Sequence, residues 1–367
     1  MTHDSPVAVR IRGTGLVALS VAARLARWDH RIELVGPTSP VPVPGTVLTL
    51  PAAWRDLAKK TGQPMAGLLN SAHLALVEAP PEVHHFVDGT TLALPTDRGD
   101  QLHALEPVVG RAQALVWAAL LDRADGLWQA LRRNGVERPH SPGTPVAGLL
   151  PNRTMDQLAT EHSLTDRRLL DLWFSAARAA GATRPDTAPA LLASRWSIER
   201  TFGRWHLVDS DTGEVQPLHR LSALLLGRLA ELGVRPIEAA TDRPATTEVD
   251  THTPTPPALT LTDRLRGRRR PTLTAEGGWT IDRFRDWQQR PPLRVDATHW
   301  RGSAASHAGN EPWAQLLTGA LIAYEVHEHL TGQDIRPTNR QAPLPPRLRP
   351  LPQSADEAED RFGPQPE

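Results

Sequence analysis

The chain has no cysteine. That excludes disulfides, thiolate metal sites, cysteine nucleophiles and any redox dithiol. Redox chemistry would therefore need a bound cofactor. Lysine occurs only as Lys59 and Lys60, so arginine carries nearly all the positive charge. With the abundant Ala, Pro and Gly, this reads as GC-rich coding bias, and the arginine is weak ground for inferring phosphate binding. Neither sign of charge is in excess, since Lys+Arg and Asp+Glu both total 41 among 367 residues. A nucleic-acid binder normally shows a basic excess or a basic face, so no nucleic-acid partner is expected. No apolar run approaches the roughly 20 residues of a spanning helix. The opening "MTHDSPVAVRIRG" lacks a basic region followed by an apolar one, so no signal peptide is expected and the cytoplasm is the default location. There is no G-x-S-x-G elbow and no G-K-[ST] turn, which leaves hydrolase and nucleotidase readings unsupported.

What is present begins at once. Val7 to Ile11 is a short β-branched run suited to a buried parallel strand. Gly13-Thr14-Gly15 breaks it, Leu16 to Trp28 has apolar residues at helical spacing, and Arg31 to Val35 is a second strand. This is a βαβ unit carrying the dinucleotide fingerprint G-x-G-x-x-G/A as Gly13, Gly15 and Ala18. The first glycine permits the tight turn, the second lets a pyrophosphate approach the backbone, and the small third residue allows close helix–strand packing. The helix N-terminus, opening at Leu16, offers free N–H groups to phosphates. Gly13, Gly15, Leu16 and Ala18 are the candidate cofactor-binding residues here. At the end of the second strand an acid should hold the ribose, yet the chain reads Leu34-Val35-Gly36. Such a contact is worth about 1.5–3 kcal/mol, so its loss weakens binding roughly ten- to a hundred-fold. Glu33 lies nearby, but strand alternation alone does not direct it at a ligand.

Further along, Ala52 to Thr61 reads as a helix, Leu74 to Val77, "HHFVDG" and "TTLALP" as strands, and Asp88-Gly89 as a hairpin turn. Gly99 to Asn134 and Arg153 to Ala180 are helical stretches. Leu218 to Leu232 is an amphipathic helix, followed by the strand candidate "VRPIEA". Thr241 to Arg270 is rich in Thr, Pro and Arg and reads as a loop or a poorly ordered excursion. Leu316 to Leu330 is a helix ended by Gly332. From Arg340 the composition cannot build a core, and residues 341–367 are expected to be a disordered tail.

Several of these segments, in this order, resemble one family. They are the fingerprint, then "GTVLTLPAAWRDLAKKTGQP", "FVDGTTLALP", the "LLPNRTMDQLATEHSLTDRRLLDLWFSAARAAGATRPDTAPAL" stretch with its D-x-R-L element at Asp166–Leu169, "FGRWHLVDSDTGEVQPLHRLSALLLGRLAELGVRP", "FRDWQQRPPL" and "SAASHAGNEPWAQLLTGALIAYEVHEHLTGQD". From Val7 to about Arg340 the chain is similar to the phytoene-desaturase-like branch of the FAD-dependent oxidoreductases, the relatives of carotenoid desaturases and flavin amine oxidases. The resemblance implies an α/β fold: a discontinuous, Rossmann-like FAD/NAD(P)-binding domain with an inserted α+β cap that takes the substrate. The expected division is 1–50 with 205–240 and 280–340 for the cofactor domain, 51–204 for the cap, and 241–279 as a variable loop region. FAD is the implied cofactor, and Gly309 and Asn310 are the implied flavin-side turn before the last helix. The sequence departs from the pattern at Gly36, at "PTSPVPVPG" where a basic, glycine-rich turn is usual, at "DSDTGEVQP" where a double glycine is usual, and in its short Pro236–Phe284 stretch.

Two function classes follow. One is a desaturase- or dehydrogenase-like oxidoreductase that passes a hydride from an apolar or amine-bearing small molecule to FAD. The other is a non-catalytic relative that has lost FAD and serves as a binding or scaffolding partner, with a protein partner or homo-oligomer left open. No catalytic residue is assigned. His307 is read as a polar loop residue with the option of approaching a flavin ring. The "EVHEH" run (Glu325, His327, Glu328, His329) has histidines two apart instead of four, so no metal site is expected and a solvated face is. His84-His85 alternates across a strand in the same way. Trp173, Trp196, Trp205 and Trp279 are read as core, with a substrate channel as the alternative.

Overall fold

The computed structural model describes residues 7–40, 42–141, 143–259, 261–265, 269–274 and 277–337. The expected tail, 341–367, lies outside the described residues. The strands are β1 (Val7–Arg12), β2 (Ile32–Val35), β3 (Val47–Thr49), β4 (Leu74–Glu78), β5 (Glu82–His85), β6 (Thr91–Leu94), β7 (Arg204–Asp209), β8 (Val215–Gln216), β9 (Pro236–Ile237), β10 (Ala245–Asp250) and β11 (His299–Arg301). Five of them form a parallel sheet in the order β11-β10-β1-β2-β9. The α/β class expected from the sequence is therefore present. In chain order the strands lie 3-2-1-4-5, and the direction of winding reverses at β1. Open sheets of this kind bind ligands at the carboxyl ends of the strands, beside that reversal.

Strand β1 is central because both its neighbours pair with it and its apolar side chains, Val9 and Ile11, are fully buried. Arg10 is buried too, because Glu33 on β2 receives its Nε–H at 2.8 Å. The first helix, Leu16–Arg27, and the closing helix, Pro312–Thr331, lie against each other. A Cβ built on Gly319 would stand 2.6 Å from Ser20 Cβ and 2.7 Å from the Val17 carbonyl, so only glycine permits this approach. Ser20 Oγ donates to the Leu316 carbonyl at 2.7 Å and fixes the register.

One expectation is corrected. Thr241–Arg270 is not all loop: Ala245–Asp250 is β10, the strand between β1 and β11. Its Thr247 and Val249 are fully buried and alternate with more exposed neighbours, the pattern of a pleated strand. Thr247 stands where sequence patterning looks for an apolar residue, and the flanking prolines hide the signal.

The rest forms a second, mixed region. An antiparallel sheet, β3-β7-β4 with β8 on β7, and the β5-β6 hairpin stand beside helices Arg98–Val109, Arg111–Leu131, Met155–Glu161, Arg167–Ala179 and Ser194–Phe202. Tryptophans pack its interior: Trp117 meets Trp196 at 5.2 Å and Trp173 at 6.3 Å, ring edge to ring face. Each indole N–H of the four singled-out tryptophans reaches a backbone carbonyl: Trp173 to Met155, Trp196 to Trp173, Trp205 to Phe202 and Trp279 to Pro254. Among the described residues, no helix is long and apolar enough to cross a membrane.

Candidate functional site

The first glycine turn stands at the carboxyl end of β1. Gly13 donates to the Val35 carbonyl at 2.7 Å and adopts φ +108°, a region closed to most side chains. A Cβ there would also lie 2.2 Å from Thr251 Oγ1, which itself donates to the Arg12 carbonyl at 2.7 Å. Gly15 is the N-cap of the first helix and supplies no side-chain cap. Nothing lies within 4 Å of where its Cβ would be, and the first-turn N–H groups have no intrahelical partner. Leu16 and Ala18 turn their side chains inward, with 5% and 0% exposure, and can offer a ligand only backbone. Between the glycines, Thr14 is buried and its Oγ1 has no hydrogen-bond partner among the described residues. An open helix N-terminus and an orphaned hydroxyl are what a pyrophosphate would complete.

The ribose side differs. Gly36 follows β2, donates to the Ile237 carbonyl at 2.8 Å and has φ +156°. A Cβ on it would sit 3.1 Å from Thr14 Cγ2 and 3.3 Å from the Gly13 carbonyl carbon. The position therefore resists any side chain, acidic or not. Glu33, the acid of β2, is committed elsewhere. It accepts from Arg10 Nε at 2.8 Å, from Thr241 N at 3.1 Å and from Thr241 Oγ1 at 2.5 Å. Burial pushes its carboxyl up, but the hydrogen bonds from Arg10 and Thr241 outweigh that and hold it below its ordinary range.

The second glycine turn, Gly309-Asn310, opens the closing helix, which follows β11. Since β1 and β11 belong to one parallel sheet and are each followed by one of two packed helices, both turns lie at the sheet's carboxyl edge. Gly309 and Asn310 line a cavity of about 60 Å³ together with Trp287, Arg290, His307 and Trp313. Gly13, Gly15, Leu16 and Ala18 are not part of its lining. The loop before the helix is internally tied: Ser303 N donates to Ser306 Oγ at 3.0 Å, and Ala305 N to Ser303 Oγ at 3.1 Å. Trp287 Nε1 holds the His307 carbonyl at 3.0 Å.

His307 is not the polar loop residue read from the sequence. It is buried, and its ring meets those of His140 at 4.7 Å and Trp287 at 5.1 Å. Burial, with His140 and Arg290 adding to it, pushes its pKa down to about 3. Burial also lowers Arg290, to about 10, against the attraction of Asp286. The "EVHEH" run is not one solvated face either. His327 is buried and its Nδ1 lies 2.8 Å from His30 Nε2. Glu325 accepts from Trp300 Nε1 at 2.9 Å, and Glu328 pairs with Arg336 at 2.5 Å. His84 lines a separate cavity of about 120 Å³ with Trp196, while His85 faces Thr91. Sequence reasoning missed Arg195, Arg290 and His140. Only Arg290 lay in a quoted segment, at the end of "FRDWQQR", where it reads as one more arginine.

No family model matches the chain. Hydroxyneurosporene desaturase of Cereibacter sphaeroides is 30% identical over 241 residues, covering 62% of this chain and 46% of that protein. Hydroxyneurosporene desaturase of Rhodobacter capsulatus is 27% identical over 240 residues, covering 58% and 47%. The chain thus spans about half the length of the curated relatives it matches. Among solved structures, cyclohexylamine oxidase from Brevibacterium oxydans superposes with a TM-score of 0.43 at 16% identity, covering 68% of this chain and 58% of that one.

Proposed function

We propose that the chain is an FAD-dependent oxidoreductase of the desaturase type, acting on an apolar small molecule. One observation carries the reading. The open N-terminus of the first helix, with Gly13, Gly15 and the unpartnered Thr14 hydroxyl, stands at the sheet's carboxyl edge, where the Gly309-Asn310 turn also lies. The similarity to the two desaturases supports it. In this reading the backbone N–H groups of Leu16 to Ala18 bind the pyrophosphate, and the Gly309-Asn310 turn faces the flavin. The chemistry the cofactor supplies when bound is acceptance of a hydride from a substrate carbon. The chain's own part is to bind, to orient and to exclude water, the last through the apolar walls around Trp287 and Trp313. The cofactor domain comprises 1–50, 205–240 and 280–340 with β10 added, and 51–204 is the cap.

A second reading, a non-catalytic relative that has lost FAD and serves as a binding partner, is favoured by Gly36 and Glu33. The former has no room for a ribose-binding acid, and the latter is committed to Arg10. Visible absorption separates the two. Purified protein is given excess FAD and desalted; flavin bands that stay with the protein support the first reading, and a colourless protein supports the second.

A further inference from the structure

The order of the five-stranded sheet sets a direction for the cofactor of the proposed oxidoreductase. The Gly309-Asn310 turn follows β11, which lies on one side of β1, while β2 and β9 lie on the other. With the pyrophosphate at the Gly13–Gly15 turn and the flavin toward Gly309, the adenosine half runs outward over the carboxyl ends of β2 and β9. An acid is needed there to accept the ribose hydroxyls. Strand β2 does not provide one. Gly36 has no room for a side chain, Glu33 is tied to Arg10 and Thr241, and Pro37 to Pro40 include no acid.

Strand β9 does provide one. Leu34 pairs with Pro236 and Val35 with Ile237, and Gly36 N donates to the Ile237 carbonyl at 2.8 Å. The register carried one residue further sets Glu238 beside Gly36, one strand spacing outward, about 4.8 Å. Glu238 is exposed, and among the described residues its carboxylate has neither an ion pair nor a hydrogen bond. From Pro236 to Ala240 it is the one side chain that ionises. We propose that Glu238 takes the place of the acid missing at Gly36 and accepts the ribose hydroxyls of the adenosine half from the neighbouring strand. Its two oxygens have lone pairs enough for both the 2′- and the 3′-hydroxyl. Glycine at 36 is then a relocation of the ribose contact and not its loss. The inference rests on the FAD reading and deepens it by naming the residue that binds the ribose.

The test is calorimetric titration of the full chain with ADP and with 2′,3′-dideoxy-ADP, which keeps the base and phosphates but has no ribose hydroxyl. The parent should bind ADP roughly tenfold tighter than the dideoxy form. In Glu238→Ala the two should bind alike, with the affinity for the dideoxy form at the parent's value. The side chain is exposed, so the variant should melt with the parent; should it not fold, Glu238→Gln, which keeps the length and loses the charge, should narrow the preference in the same direction. Equal binding of the two nucleotides by the parent, binding of neither, or a preference that survives in Glu238→Ala overturns the proposal. FAD retention is read separately by absorption. A parent that retains flavin and shows no effect at Glu238 refutes this inference alone, whereas a parent that retains none refutes the FAD reading as well.

Discussion

Glu33 and Arg10 form a buried ion pair on adjacent strands, 2.8 Å between Oε1 and Nε, and this removes the only acid of β2 from the cofactor side of the sheet. The pair serves the sheet. Thr241, just before β10, also bonds to Glu33, so three segments are tied at one carboxylate. Glu33→Gln leaves Arg10 with the Thr241 and Arg243 carbonyls and, as a carboxylate, the more distant Glu248 at 3.5 Å. Removing one partner of a buried pair costs about 3 kcal/mol. Denaturant unfolding at neutral pH should show a loss of this size, with flavin retention per folded molecule unchanged. A loss of flavin at unchanged stability would mean that Glu33 contacts the cofactor after all.

Restoring an acid at the ribose position should fail. In Gly36→Asp the new Cβ meets Thr14 Cγ2 and the Gly13 backbone, at a φ that L-residues rarely adopt. Strain of this kind costs about 1–3 kcal/mol. The variant should melt lower than the parent and bind FAD no more tightly; tighter binding would show that the turn can yield.

Gly319→Ala tests whether the two turns are held as one unit. Its methyl group would press into Ser20 and the Val17 carbonyl. Overpacking should cost about 2 kcal/mol, and the displaced closing helix should carry the Gly309-Asn310 turn with it. Lower thermal stability together with weaker flavin retention is expected. A variant as stable as the parent would contradict the close approach.

The burial of His307 predicts an acid-sensitive fold. Its folded-state pKa of about 3 lies below its ordinary 6.5, so between those pH values the unfolded chain binds more protons. Stability present above pH 6.5 is lost as pH falls toward 3. His140 and His30, both lowered first by burial, add slope of the same sign. Urea midpoints at pH 7 and pH 5 should fall with acidification in the parent and fall less in His307→Phe; parallel slopes would refute the assignment.

Much of the fold was legible because the relevant signals are local. Val9 and Ile11 with the Gly13–Gly15 break marked the βαβ unit, and Gly332 marked the end of the closing helix. Strand β10 was hidden because only one of its two buried residues, Val249, is strongly apolar, the other being Thr247. The site was half visible. Gly13 and Gly309 announced themselves as turns, whereas Arg290 and His307 acquire their character only from burial, which a lone arginine or histidine in a sequence does not display. Gly36 was visible as a missing acid, but the crowding that keeps it a glycine belongs to Thr14 across the turn.

The N-terminus of the first helix is proposed to bind the phosphates of FAD. The direct measurement is visible absorption after FAD loading and desalting, on the parent and on Gly15→Asp. Aspartate is a good N-cap in the extended conformation that Gly15 already has, so the helix should be at least as stable. Its carboxylate, however, would take the N–H groups and repel the phosphates. Flavin bands are expected on the parent and none on a well-folded Gly15→Asp. A parent that retains no flavin, or a variant that retains as much, would contradict it.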